Sequence, residues 1–396
     1  DKYNNKMINI QDKRKCCGCT ACASVCSHHC ISMVEDAEGF KYPQVDAEKC
    51  VNCGLCEKVC PMLHPESDNE VRNVIGAKHK DAVVRKDSSS GGAFSLLAEE
   101  FISNGGVVVG CAMDENLQAK HIICTNKKDI VRLRSSKYVQ CNMDGVYPQV
   151  RKMLREGRKV LFSGTPCQVA GLRRFLIKPF DNLYCIDILC HGVPSPKLFR
   201  EYKEMMEAKY KAKANFVSYR CKKKEWKRLY IDLKFDNDKE YFKSATFDPY
   251  MQLFLGNMSQ RSSCFHCPFT TTNRQGDISL GDFWGIGRNH PELDDDKGIS
   301  MILLNTAKGE ELFSGIKHDI VSFESNINQA IAGNKVLIEN ITGEEKRNHF
   351  YADYVSEGLY GAFKKYTIKY PMWKQLYIRF MRWGLDLFRK LTHKGF

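Results

Sequence analysis

The sequence predicts a small cysteine-rich α+β domain, a larger α/β domain and a C-terminal amphipathic helical tail, and three observations carry that prediction. Between Cys16 and Pro61 one four-cysteine spacing occurs twice. From Val74 to about Glu324 short apolar stretches alternate with segments of helical period. From Pro371 to Phe396 apolar residues recur among basic ones, mostly three or four apart. The expected divisions are 1–66, 74–325 and 326–396.

Cys16, Cys19, Cys22 and Cys26 stand at C-x2-C-x2-C-x3-C, and Cys50, Cys53, Cys56 and Cys60 repeat it with Pro61 behind. This is the spacing of two-cluster bacterial ferredoxins. Three thiolates on a tight loop cap three corners of an iron–sulfur cube, and the fourth reaches the other cube. The expected ligand sets are therefore Cys16, Cys19 and Cys22 with Cys60, and Cys50, Cys53 and Cys56 with Cys26. Zinc knuckles take ligands as separated pairs, and a disulfide framework has no use for this repeat. Ser27 departs from the proline that usually follows the fourth cysteine. Ile31–Val34 and Tyr42–Val45 read as a hairpin around Glu38-Gly39.

The chain has 396 residues, 43% of them hydrophobic, which exceeds one ordinary core and predicts two or three domains. No apolar run approaches the roughly 18 residues of a membrane span. The start, DKYNNKMINIQDKRK, lacks the pattern of a signal peptide, and its first residue, Asp1, leads to the expectation of a short segment upstream. Nineteen cysteines, an odd number carrying cluster spacing, point to a reducing compartment, hence the cytoplasm. A net charge of +13 suits an acidic partner, a phosphate-bearing cofactor or an anionic membrane face. No nucleic-acid module accompanies it, so nucleic acid is not an expected partner.

After the polar linker HPESDNE, a helix is expected over Gly92–Ser103, with Phe94, Leu97, Ala98 and Phe101 on one face. The preceding Ser88-Ser89-Ser90-Gly91-Gly92 suits a helix cap, and its backbone N–H groups are also accessible to an anion. Short buried strands are expected at Val107–Ala112, Lys159–Phe162, Leu183–Leu189 and Asp277–Leu280. Ser163-Gly164-Thr165-Pro166-Cys167-Gln168 places Cys167 at a strand-to-helix corner. With Cys190, Cys264 and Cys267 it makes four cysteines on loops around the α/β body, enough for another [4Fe-4S] cluster. A zinc site drawing on His191 or His266, or plain buried thiols, satisfies the same spacing. Of Cys17, Cys30, Cys111, Cys124, Cys141, Cys185 and Cys221, most are expected to be small buried hydrophobes.

SSSGGAFSLL, SSKYVQ, VLFSGTPCQVAGL, CHGVPSPKLF, CFHCPF and GDISLGDFWGI, in this order behind the ferredoxin run, resemble the family of coenzyme F-420 hydrogenase/dehydrogenase beta subunits across about residues 16–320. The resemblance implies an iron–sulfur flavoprotein with an FAD-binding α/β domain and a [4Fe-4S] cluster beside the flavin. It implies that Cys167, Cys190, Cys264 and Cys267 hold this third cluster. Ser90, Gly91, Gly92, Ser136, Lys137 and Tyr138 match segments that lie against the flavin. Cys141 departs from the family pattern, which has serine there. Lys137 is expected to stabilise negative charge on a reduced flavin or a cofactor phosphate, or else to be an exposed loop lysine, and Asp282 to orient a substrate or a positive group or to cap a turn.

Those parts imply an oxidoreductase passing electrons between a ferredoxin-type donor and a hydride carrier such as coenzyme F-420, through its clusters and FAD. Two alternatives share the fold: reduction of a specific organic substrate, as by 7-hydroxymethyl chlorophyll a reductase, and a non-catalytic electron-transfer subunit. Residues 326–361 carry no chemical reading. In the tail, Trp373, Leu376, Tyr377, Phe380, Trp383, Leu387, Phe388 and Leu391 recur among Lys374, Arg379, Arg382, Arg389 and Lys390. Such a helix docks on an anionic membrane surface at the inner face, on a partner subunit, or back on its own domain.

Overall fold

The computed structural model describes residues 7–67, 69–288, 290–378, 380, 381 and 384. Its first sheet is the expected hairpin, β1 (Ile31–Glu35) and β2 (Lys41–Val45), paired antiparallel from Ile31↔Val45 to Glu35↔Lys41. Gly39 turns it with φ of +87°, and a Cβ there would meet the Lys197 Cβ at 2.1 Å. Only glycine allows both the turn and that close approach. The hairpin tip is held because the Ser195 hydroxyl donates to the Glu38 carbonyl at 2.6 Å.

The body contains β3 (Asn73–His79), β4 (Val107–Met113), β5 (Ala119–Cys124), β6 (Val160–Gly164), β7 (Leu183–Ile188), β8 (Ala214–Ser218), β9 (Tyr230–Phe235), β10 (Glu240–Ser244), β11 (Ile278–Asp282), β12 (Ser300–Leu304) and β13 (Ile320–Ser325). Eight form one sheet in the order β13-β3-β12-β11-β7-β6-β4-β5, and β8–β10 form a separate antiparallel sheet. β4, β6, β7 and β11 run parallel as neighbours. These are the four strands expected from the sequence, short and apolar because both faces are covered. Their carboxyl ends open toward one side, the usual place for ligands in such sheets.

The expected helix forms over α1 (Ala93–Ser103), burying Leu97, Ala98 and Phe101. Thr165, Pro166 and Gln168 start α2 (Pro166–Leu176) with a capping box, in which the Gln168 side chain accepts from the Thr165 N–H at 2.9 Å. α3 (Pro196–Tyr210) is capped by Ser195.

Two hydrophobic cores cross the divisions expected from sequence. In one, Cys17, Cys19, Ala21 and Val59 pack with Val109, Tyr147, Val169 and Phe175. In the other, Phe40 packs with Phe199, Tyr202, Tyr250, Phe350 and Tyr351. Residues 326–361, which had no reading, supply part of the second core: α4 (Glu344–Tyr366) buries Phe350, Tyr351, Tyr354 and Phe363 and breaks at Gly358, whose φ is 75°. Among the described residues no helix is long and apolar enough to cross a membrane. In the tail Trp373, Leu376 and Phe380 are 68%, 56% and 65% exposed. Arg379, Arg382, Trp383, Leu387, Phe388, Arg389, Lys390 and Leu391 lie outside the described residues.

Candidate functional site

The two cysteine runs fold back on each other. Burial and the neighbouring Cys16 and Cys60 push the Cys22 thiol up, and burial followed by Cys16 and Cys56 does the same to Cys60. Cys60, from the second run, therefore stands with Cys16, Cys19 and Cys22. Cys50 and Cys26 share a cluster of side chains with Cys56. Cys53 is exposed, whereas Cys16 and Cys19 are 9% and 7% exposed. Cys53 faces solvent, whereas Cys16 and Cys19 face the body. Cys30 lies within the second group, its sulfur 3.3 Å from the Cys26 sulfur.

The first set docks on α2. A side chain at Gly171 would place its Cβ 3.0 Å from the Cys19 sulfur and 2.7 Å from the Tyr147 hydroxyl. The glycine of QVAGL is thus the close approach between helix and cysteine loop.

Cys167 and Cys190 leave the carboxyl ends of the adjacent parallel strands β6 and β7. Cys264 and Cys267 lie at the short turn Ser262–His266, which is brought across by bridge pairing of Pro194 with Gln260. All four thiols line one cavity of about 50 Å³ with Leu189, Phe269 and Arg274. Burial comes first and the neighbouring thiols next in pushing Cys190 well up, Cys264 to about 12 and Cys267 to about 11. All four cysteines are half-buried, and a metal bound by them would release their protons.

The same residues bear on the zinc alternative. Among the described residues no three His, Cys, Asp or Glu side chains converge on a single-ion site. His266 turns outward, its Nε2 2.8 Å from Glu344.

Cys17, one of the cysteines expected mostly to be inert filling, borders this cavity. Cys17 and Cys167 line it together, and the neighbouring Cys17 thiol followed by burial holds Cys167 well up. One residue away on either side are Cys16 and, past Gly18, Cys19.

The segments matched to a flavin also come together. The Ser89 hydroxyl accepts from the Ser136 N–H at 2.7 Å, and the Ser90 hydroxyl donates to the Ile299 carbonyl at 2.7 Å. Gly91 lets this loop approach β3, since its Cβ would meet the Ala77 oxygen at 2.2 Å. Gly92 caps α1 with φ of 93°. Tyr138 stacks on Phe254 with centroids 4.2 Å apart and lies beside Arg220. Arg220 pairs with Asp282 at 2.9 Å, reaches the Ser89 carbonyl at 3.3 Å and lies over Trp284 at 5.2 Å. Trp284 stacks on Trp226, whose indole donates to Asp282 at 3.3 Å.

His191, next to Cys190, has its basicity lowered by burial and lies in the field of Asp282 and Arg220. It joins this group to the third thiol set. A buried guanidinium, a carboxylate, hydroxyls and indole faces suit a planar anionic ligand.

Lys137 has a different post: its ammonium donates to the carbonyls of Leu133 at 2.9 Å and Arg134 at 2.7 Å, with Arg132 at 3.3 Å. Burial lowers it to about 8. Lys222 binds the carbonyls of Arg85, Ser90 and Lys297 at 2.6, 2.6 and 2.8 Å, and burial lowers it to about 7. Both ammonium groups close backbone turns around the serine loop.

Cys141, the departure from the family pattern, faces His121. The ring donates from Nε2 to the Ser163 carbonyl at 2.9 Å, so Nδ1 accepts from the Cys141 thiol at 3.0 Å. Cys141 also borders a cavity of about 330 Å³ lined by Gly18, Thr20, Lys41 and Arg200.

Sequence reasoning missed Arg220, Lys222 and Cys17. Arg220 and Lys222 lie in the basic stretch YRCKKK, where nothing distinguishes a buried cation from a solvated one. Cys17 stands between ligand positions, so its adjacency to the first set was legible but its place beside Cys167 was not.

Comparison with known proteins follows the same division. The profiles for the N-terminal and C-terminal parts of the coenzyme F420 hydrogenase/dehydrogenase beta subunit match residues 74–147 and 157–329, and the 4Fe-4S dicluster domain matches 15–63. One component of the F(420)H(2) dehydrogenase of Methanosarcina mazei is 26% identical over 50% of this chain and 60% of its own length. The coenzyme F420-dependent sulfite reductase of Methanocaldococcus jannaschii is 24% identical over 48% of this chain and 30% of its length. An uncharacterized protein of Methanocaldococcus jannaschii is 23% identical over 82% of this chain and 93% of its own. A chain of the F420-reducing [NiFe] hydrogenase complex from Methanosarcina barkeri gives a TM-score of 0.47 at 15% identity, over 75% of this chain and 91% of that one. The chain belongs to the family of coenzyme F420 hydrogenase/dehydrogenase beta subunits and carries a 4Fe-4S dicluster domain on the same polypeptide.

Proposed function

We propose that this chain passes electrons inward through three [4Fe-4S] sites to FAD and from there to a hydride carrier, coenzyme F420 being the first to test. The observation that carries the reading is Cys17, which stands between two cysteines of the first ferredoxin set and lines the cavity of Cys167, Cys190, Cys264 and Cys267. The thiol sets then lead from the ferredoxin domain to the α/β body: Cys26, Cys50, Cys53 and Cys56 with the exposed Cys53, then Cys16, Cys19, Cys22 and Cys60, and then Cys167, Cys190, Cys264 and Cys267. When bound, clusters carry single electrons and a flavin turns two of them into a hydride. The exposed face around Cys53 suits a ferredoxin-type donor.

Ser90, Gly91, Gly92, Ser136 and Tyr138, with Arg220 and Asp282, are the residues we assign to FAD. The Arg220 guanidinium would offset negative charge on the ligand, and Asp282 would hold that guanidinium in place. Lys137 would shape the serine loop from behind. The names of the Methanosarcina mazei dehydrogenase and the Methanocaldococcus jannaschii sulfite reductase both specify F420, which favours this carrier over a specific organic substrate. A fused dicluster domain favours a chain that collects its own electrons over a passive subunit.

Protein purified without oxygen should hold about twelve irons, a matching amount of acid-labile sulfide and one FAD. About eight irons and no flavin would refute the reading. A second expectation concerns Arg220: Arg220→Met should lower flavin content at least tenfold while iron stays at about twelve, measured on one sample. Unchanged flavin would remove Arg220 from the cofactor site.

We further propose that the tail rests on an anionic membrane surface. Exposed Met372, Trp373, Leu376 and Tyr377 stand beside a sequence rich in Lys and Arg, and each such charge near an anionic bilayer contributes about 1 kcal/mol. The full chain should cosediment with vesicles containing phosphatidylserine and be released by high salt, and a version ending at Tyr370 should remain in solution. Equal partition of both versions would refute the membrane role.

A further inference from the structure

Among the described residues five arginines are buried: Arg85, Arg220, Arg261, Arg274 and Arg347. Four of them pair with a carboxylate, on Asp295, Asp282, Asp187 and Glu38. Arg261 is the most deeply buried, with no exposed surface, and no carboxylate is among its partners. Its Nε donates to the Cys16 carbonyl at 2.7 Å, Nη1 to the Gln140 side-chain oxygen at 3.1 Å, and Nη2 to the Lys41 carbonyl at 2.9 Å. Nη2 also lies 3.5 Å from the Cys16 sulfur. The guanidinium stacks over the Tyr42 ring at 4.1 Å and forms part of the wall of the third thiol cavity.

A buried cation without a counter-charge is costly, and carbonyl dipoles repay only part of its lost hydration. The groups around Arg261 able to carry negative charge are Cys16 of the first set, the Tyr42 phenol, Cys17, and Cys264 of the third set, and of these the thiols belong to the iron–sulfur sites. We propose that Arg261 is the shared counter-cation of the first and third iron–sulfur sites, raising both reduction potentials and keeping them close to one another. The proposal rests on the three-cluster reading and adds a positioning and tuning residue to it.

The physical argument is one of sign. Reduction adds one negative charge to a site, and a fixed cation in a low-dielectric interior stabilises the reduced form. An electron moving from the first site to the third stays beside the same guanidinium, so the step is nearly level. The outer set, with Cys53 exposed, lies beyond Arg261's contacts and has water to screen it.

The test is an EPR-monitored redox titration of the anaerobic full chain, with signals assigned from ligand variants at each site. Arg261→Gln should lower the first and third potentials by at least tenfold in equilibrium constant, 59 mV for one electron, and leave the outer site unmoved. Arg261→Lys keeps the charge without the fork and should fall between the two. Three unmoved potentials, or three that shift equally, would overturn the proposal.

Should Arg261→Gln lose iron, Arg261→Lys decides. Retained iron with near-native potentials supports a charge role, and lost iron there overturns it, leaving a packing strut. About eight irons in the unaltered protein would be a separate failure, that of the third cluster itself, visible before any variant is made.

Discussion

Replacing Cys267 by serine should lower bound iron from about twelve to about eight atoms per chain, with the ferredoxin signals intact. Cys267 lies at the end of a short turn and lines the cavity with Cys167, Cys190 and Cys264. Cys267 is half-buried, and its thiol is pushed to about 11 by desolvation and by Cys167, so a metal bound there would displace its proton. Serine keeps size and polarity and removes the soft ligand, which isolates ligation from packing. Cys17→Ser is the control. Cys17 lines the cavity with Cys167 but stands outside the four-cysteine set, so iron should stay at about twelve. Iron unchanged in Cys267→Ser would remove Cys267 from the ligands, and a parallel loss in Cys17→Ser would make Cys17 one of them.

Arg274→Met should cost about 3–5 kcal/mol of stability, the usual penalty for removing one partner of a buried ion pair. Arg274 joins three parts of the body. Its Nη2 meets Asp187 at 2.8 Å, Nε meets the Ser279 hydroxyl at 3.0 Å, and Nη1 donates to the carbonyls of Phe269 and Thr271 at 3.3 and 3.1 Å. Asp187 has no exposed surface and also accepts the backbone N–H groups of Gln275 at 3.0 Å and Gly276 at 2.8 Å. Methionine fills similar volume and leaves that carboxylate charged and short of a donor. The urea midpoint of anaerobic protein should fall accordingly, and Asp187→Leu together with Arg274→Met should recover part of the loss. A midpoint within experimental error of the parent would show that the pair contributes nothing net.

Much of this architecture was legible because covalent spacing and local propensity settle it. The cysteine runs, the hairpin around Gly39, α1 and the four parallel strands were placed within two residues of their observed limits. Each depends on patterns confined to a few neighbouring positions. The strands β3, β12 and β13 escaped, being joined through pairings as distant as Asn73 with Leu304. α4 escaped as well, although Phe350, Tyr351 and Tyr354 lie on one face, because polar residues dilute its pattern and Gly358 breaks it. Lys137 shows the limit of a motif read alone. In the chain it is a free cation beside SSKYVQ, and in the fold its donors are taken by three carbonyls.

The sequence by itself determined which thiols stand in repeated spacing, which stretches pair into hairpin or helix, and the family to which the chain belongs. Tertiary structure alone decided that Cys167, Cys190, Cys264 and Cys267 enclose one cavity, that Cys17 lines it with them, that Arg220 reaches Asp282, and that Arg261 is buried without a carboxylate. The reason is physical. Spacing acts through a few bonds, whereas the surroundings of a charge or a thiol come from segments that burial brings together across hundreds of residues.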